Sequence, residues 1–152
     1  MVPEYKFYHG AALCEIIDIC PFDIKIGELK EDGRLTSYVV DQKIGLQVKH
    51  SSARLPPWSF SFTSANWDEL IILSKLYKKN VFLIFVCSDV GFVTIDIQCV
   101  LELLSNGQAE QAWIRISRKR GKWFEVSGNS GRQAIKRPTG VAPILDALVA
   151  IS

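Results

Sequence analysis

"IGLQVKHSSARLPPWSF", residues 44–60, decides how the chain is read. Ile44–Lys49 has strand character. His50, two serines and Arg54 follow, Pro56-Pro57 breaks the chain, and Trp58–Phe62 alternates as a new strand. Side chains alternate along a strand, so Gln47 and Lys49 share one face while Ile44, Leu46 and Val48 point to the other. Upstream, Ile24–Lys30 and Leu35–Val40 also read as strands. Asp32-Gly33 signals a turn between them, and Asp41-Gln42 or Gln42-Lys43 turns the second into Ile44–Lys49. Either two-residue turn places Thr36, Tyr38 and Val40 on the Gln47/Lys49 face, and Leu35, Ser37 and Val39 on the other.

Residues 8–19 form a short helix, with Leu13, Ile16 and Ile17 at helical spacing and Pro21 beyond its end. Residues 66–79 form the main helix. Asn66 is the expected cap, with Glu69 three positions on to complete a capping box, and Lys75, Lys78 and Lys79 lie toward its last turn. The apolar run Val81–Cys87 is a buried strand that returns as Phe92–Ile97. A short helix follows at Gln98–Leu104 and stops at Asn106-Gly107. A last hairpin pairs Ala112–Ser117 with Lys122–Val126 around Lys119-Arg120-Gly121, and Pro143–Val149 forms a final helical turn or two. The order is helix, four antiparallel-looking strands, helix, strand pair, short helix, strand pair. That is α+β, or α/β with a mixed sheet.

With 152 residues the chain is expected to form a single domain over 1–152, with a core at 8–104 and a basic hairpin and tail at 111–152. The residues are 48% hydrophobic and the net charge is +2, too small to argue for nucleic acid by itself. The distribution says more. From residue 111 to residue 145 Glu125 is the single acid, against Arg115, Arg118, Lys119, Arg120, Lys122, Arg132, Lys136 and Arg137. No apolar stretch reaches the ~20 residues of a membrane helix, and Met1–Lys6 lacks a leader's apolar region, so we expect a cytoplasmic protein with no membrane partner. Cys14, Cys20, Cys87 and Cys99 form no CxxC pair and sit among apolar neighbours, which predicts four buried, reduced thiols without metal.

The element order, with Gln47-Val48-Lys49 on the third strand, resembles the PD-(D/E)xK superfamily, the restriction-endonuclease-like fold. That resemblance covers residues 8–104. It implies a Mg²⁺ held by carboxylates and a lysine beside the attacking water, with Asp32, Gln47 and Lys49 as catalytic residues and Glu15 and Asp32 as metal ligands. The sequence departs from the pattern. Gln47 is neutral, the facing strand offers no carboxylate, and Asp41 lies at the turn, roughly 25 Å along the strand from Lys49. The leading expectation is therefore a non-catalytic protein of nuclease-like fold, without cofactor, that binds DNA, RNA or a nucleic-acid complex. Two alternatives stand beside it. One is an active Mg²⁺-dependent nuclease. The other is an immunity or regulatory module that binds a protein partner or forms a homodimer. For the leading reading, Lys49, His50 and Arg54 are candidate phosphate contacts, with Lys119, Arg120, Lys122 and Trp123 on the hairpin. Trp123 itself reads either as a stacking platform or as core.

Overall fold

The computed structural model describes residues 1–29, 37–104 and 112–151. The expected turns at Asp32-Gly33 and Asn106-Gly107 lie outside those residues, as do Lys30, Leu35 and Thr36. The fold is α+β. Helix α1 (Glu4–Ile19) starts earlier than residue 8, with Pro3 just ahead of it and Glu4 in its first turn, where the helix dipole favours an acid. It buries His9, Ala12 and Ile16, one stripe at helical spacing. It ends where Cys20 turns extended ahead of Pro21.

Strands β1 (Ile26–Glu28), β2 (Ser37–Val40) and β3 (Ile44–Ser51) form an antiparallel meander. The chain then leaves through β4 (Trp58–Ser61) and helix α2 (Ser64–Tyr77), and returns as β5 (Val81–Cys87). β5 runs parallel to β3, from Gly45 opposite Val81 to Ser51 opposite Cys87, and β6 (Gly91–Asp96) pairs antiparallel on its other side. The mixed sheet has the order β1-β2-β3-β5-β6. All seven residues of β5 are buried, because both faces of the sheet are covered.

The fourth expected strand does not extend the meander. β3 already has β2 on one edge and β5 on the other, so β4 crosses to a second sheet, β4-β7-β8-β9. There it pairs with β7 (Trp113–Ser117), which hairpins with β8 (Phe124–Gly128) and then β9 (Ile135–Arg137). β9, three residues in a turn-rich tail, carries too short a pattern to be read from sequence. Helix α3 (Ile97–Leu103) follows β6 directly, and α4 (Ala142–Ile151) closes the chain. One core lies between the first sheet, α2 and the second sheet, where Phe60 packs edge-on against Phe85 at 4.9 Å. The other lies between the opposite face and α1 with α4.

The β2–β3 turn corrects the expected facing. Val40 pairs with Ile44, so the loop is three residues, Asp41-Gln42-Lys43, with φ of 51° at Asp41 and 56° at Gln42. The Asp41 carboxylate accepts the Lys25 N–H at 2.8 Å, and the Asp41 N–H donates to the Lys25 carbonyl at 2.8 Å, which ties the turn to the chain before β1. One extra residue reverses the parity of β2. Ser37 and Val39 thus lie on the Gln47/Lys49 face, and Tyr38 and Val40 face α1. The α2 cap also differs. Thr63 is the N-cap, and its reciprocal partner is Asn66 rather than Glu69. Among the cysteines, all free, Cys87 is buried, Cys20 and Cys99 are half-buried, and Cys14 is exposed on the outer side of α1.

Two glycines should respond in opposite directions. Gly10 sits inside α1 with open space where a Cβ would be, so Gly10→Ala is expected to stabilise the protein by about 0.5–1 kcal/mol. Gly128 on β8 lies against the Leu103 carbonyl, which also accepts the Ser130 N–H at 3.1 Å. A Cβ there would strike that backbone, so Gly128→Ala should cost about 1–3 kcal/mol. Urea midpoints of the two variants check both signs.

Candidate functional site

Gln47 and Lys49 rise from β3 on the side covered by α2, and both converge on Asn66 in the first turn of that helix. Gln47 Nε2 donates to the Asn66 carbonyl at 3.1 Å, and Lys49 Nζ donates to Asn66 Oδ1 at 2.8 Å. The same Oδ1 accepts the Thr63 N–H at 3.0 Å, so the helix cap and the lysine share one acceptor. The ammonium also lies over the Phe62 ring, 4.7 Å from its centre. Burial lowers Lys49 from its ordinary 10.5 to about 8, and the Glu69 charge opposes that fall. Gln47 is fully buried. Its Oε1 and the hydroxyl of Ser37, which faces it across the ladder, have no hydrogen-bond partner among the described residues.

A cleft of about 220 Å³ opens at this end of the sheet, lined by His9, Lys49, His50, Ser59, Ser61 and Asn66 with their neighbours. His9, 3% exposed, has its Nδ1 hydrogen-bonded to the Tyr38 hydroxyl at 2.8 Å. Burial, then the charge of His50, lowers the His9 imidazole from 6.5 to about 4. Burial also lowers His50, whose ring stacks on Tyr8 at 4.6 Å. His9 meets Tyr38 because the three-residue turn put Tyr38 on the α1 side. No spacing in the sequence announces a contact between residues 29 positions apart.

The cleft continues onto the outer face of the second sheet. Ser59 pairs with Arg115 and Ser61 with Trp113, and the Arg115 guanidinium lies over the Trp113 ring at 5.0 Å. Alternation along β8 puts Phe124 and Val126 in the core and Glu125 outside, beside Lys136 of β9. Trp123 is 59% exposed, so it is not the core tryptophan that the sequence allowed, while Phe124 next to it is fully buried. Trp123, Lys119, Lys122, Glu125 and Lys136 line a groove of about 560 Å³. Arg118 serves the loop instead. Its Nε donates to the Lys122 carbonyl at 2.8 Å and its guanidinium covers Phe124.

Lys49 and His50 therefore belong to one cleft, and Lys119, Lys122 and Trp123 to one groove. Arg54 is exposed on the loop before β4 and lines neither, and Arg120 is exposed but outside the groove. Asp32 lies outside the described residues. Glu15 sits on α1, across the sheet from the Gln47/Lys49 face, and lines a different cleft. Among the described residues no three His, Cys, Asp or Glu side chains gather to hold a metal ion. Gln47 Oε1 and the Ser37 hydroxyl are neutral oxygens, whereas Mg²⁺ is usually held through one or two carboxylates. The described residues thus do not fit a Mg²⁺ site. His9, Asn66, Ser59, Ser61 and Lys136 enter the site only through tertiary pairing.

The His9 imidazole gives a pH signature. Its folded value of about 4 lies below its unfolded 6.5, so the unfolded chain binds more protons between the two. Its contribution is complete above pH 6.5 and is lost as pH falls through 4, roughly 3 kcal/mol in all. His9→Gln should flatten the loss of stability over that interval in urea titrations. An unchanged slope would show that His9 is not the group responsible.

No protein-family model, curated protein or solved structure matches the chain.

Proposed function

We propose that this protein binds single-stranded nucleic acid, without cutting it, along the surface from the Lys49 cleft over the outer face of the second sheet to the Trp123 groove. The exposure of Trp123 beside Lys119, Lys122 and Lys136 carries the reading. An exposed indole offers a base a stacking face, and three ammonium groups around it supply phosphate contacts. The Arg115–Trp113 pair extends the same chemistry toward Ser59 and Ser61. The opening helix, the meander and the return through α2 follow the order that a restriction-endonuclease-like fold implies, which supports a nuclease-like scaffold. The neutral Gln47 and the remote Glu15 support one that has lost its metal site.

A second reading, a metal-dependent nuclease, has one observation in its favour. Lys49 is held near 8 in a cleft, close to the range where a lysine works as an acid or base. The two readings separate in one assay. Linear, supercoiled and single-stranded DNA should stay intact with the protein and Mg²⁺. Cleavage that disappears in Lys49→Ala would replace the first reading with the second.

Binding is tested by fluorescence anisotropy with labelled oligo(dT) and oligo(U) across a salt series. Replacing Lys119, Lys122 and Lys136 together by Ala should flatten the slope of log affinity against log salt by about two units. Trp123→Ala should weaken binding by about 1–3 kcal/mol with little change in thermal midpoint. A wild-type protein that binds neither oligomer at low salt would sink the proposal and leave a protein-interaction module.

A further inference from the structure

A separate cleft of about 800 Å³ opens between α1, the β5–β6 turn and the segment ahead of α4. One wall is a single stripe of α1, with Phe7, Ala11 and Glu15 spaced four residues apart and Tyr8 beside them. The small Ala11 side chain leaves the hollow between its two larger neighbours. The opposite wall is the turn Ser88–Gly91, held by Ser88 N–H to the Ser51 carbonyl at 2.8 Å and Val90 N–H to the Cys87 carbonyl at 3.0 Å. The remaining side is Thr139 and Gly140, fixed against β6. The Thr139 hydroxyl accepts the Phe92 N–H at 3.3 Å, Gly140 N–H donates to the Phe92 carbonyl at 2.8 Å, and the Thr94 hydroxyl donates to the Gly140 carbonyl at 2.8 Å. Gly91 permits this approach, since a Cβ there would stand 2.6 Å from Thr139 Oγ1. The turn and the Thr139–Gly140 wall are thus hydrogen-bonded into place.

The chemistry of the lining is one-sided. Phe7, Tyr8 and Phe92 contribute rings, Glu15 and Asp89 contribute carboxylates, and among the described residues no Lys, Arg or His lines it, His50 lying behind the Tyr8 ring. Neither carboxylate has a hydrogen bond or ion pair to another described residue. Phe7 is 64% exposed, an aromatic surface presented at the wall of a hollow. The volume falls in the range of small-molecule pockets, about 300–1,000 Å³.

We infer that this cleft binds a small organic cation, a protonated amine or guanidinium on an apolar, ring-bearing body. The body lies among Phe7, Tyr8 and Phe92, and the cation meets Glu15 and Asp89. A cation gains from the ring faces as well as from the carboxylates, whereas an anion of the same shape meets two like charges. The site is distinct from the proposed nucleic-acid surface and does not depend on that reading.

The test uses tryptamine as the probe and indole-3-acetate, the same ring with the opposite charge, as its control, followed by backbone amide NMR of the full chain. Tryptamine should shift the amides of Ala11, Gly91 and Gly140 with a Kd on the order of 1 mM, as expected for a ligand of its size. Indole-3-acetate should leave them unmoved. The double variant Glu15→Gln/Asp89→Asn, with both changes outside the core and an unchanged thermal midpoint, should bind tryptamine about tenfold more weakly. The inference is overturned if tryptamine leaves those amides unmoved, if indole-3-acetate binds equally well, or if the double variant binds like the wild type.

Discussion

Complete burial of β5 is the constraint on which the rest of the structure depends. Seven consecutive apolar residues can be kept from water in a strand only if both faces and both edges of that strand are covered. Parallel pairing with β3 covers one edge and β6 the other. A parallel pair needs a crossover, and α2 makes it, so the helix lands on the face where Leu83 and Phe85 point. The opposite face, with Ile84 and Val86, is covered by α1 and α4. The crossover that covers β5 is also what brings Asn66 over β3, where it receives both Gln47 and Lys49.

A second constraint acts at one turn. Had Asp41-Gln42 closed a two-residue hairpin, Tyr38 would have faced α2 and His9 would have lost its partner. The third loop residue, stabilised by the Asp41–Lys25 contacts, turns Tyr38 toward α1 and sets Ser37 opposite Gln47. The buried polar groups of the site are arranged by that register. It gives His9 a hydroxyl and leaves the Gln47 carbonyl oxygen beside a neutral serine rather than a carboxylate. The cost of buried polar atoms without a partner among the described residues, at Ser37 and Gln47, falls at the place where the resemblance drawn from the sequence would put chemistry.

The two sheets divide the labour of the surface. The first supplies a buried core, with the small polar Lys49 cleft at one end. The second, packed by Phe60, Phe62 and Phe124, turns its alternate residues outward, where Arg115, Trp113 and Lys136 lie on one side. Because β4 belongs to the second sheet yet its serines line the Lys49 cleft, the two polar regions meet. A third environment, acidic and aromatic, lies along α1, so surfaces of opposite charge coexist on a chain whose net charge is only +2.

The sequence by itself determined the class and nearly all the elements. Period-two alternation marked β3 and β4, the Lys119-Arg120-Gly121 turn marked the hairpin of β7 and β8, the unbroken apolar run marked β5, and helical spacing marked α1 and α2, because each pattern is local and is written in the residues that form it. It also located the basic hairpin and the Gln47/Lys49 pair, since two residues of one strand share a face whatever that strand pairs with. Tertiary structure decided the partners. Which sheet received Trp58–Ser61 depended on which edges of β3 were already occupied. Whether Trp123 or Phe124 went inside depended on which face of β8 met the core. Whether Tyr38 met His9 or Lys49 depended on one loop residue. Each of these is a choice between two faces or two neighbours of nearly equal local preference, and only the packing of distant segments separates them.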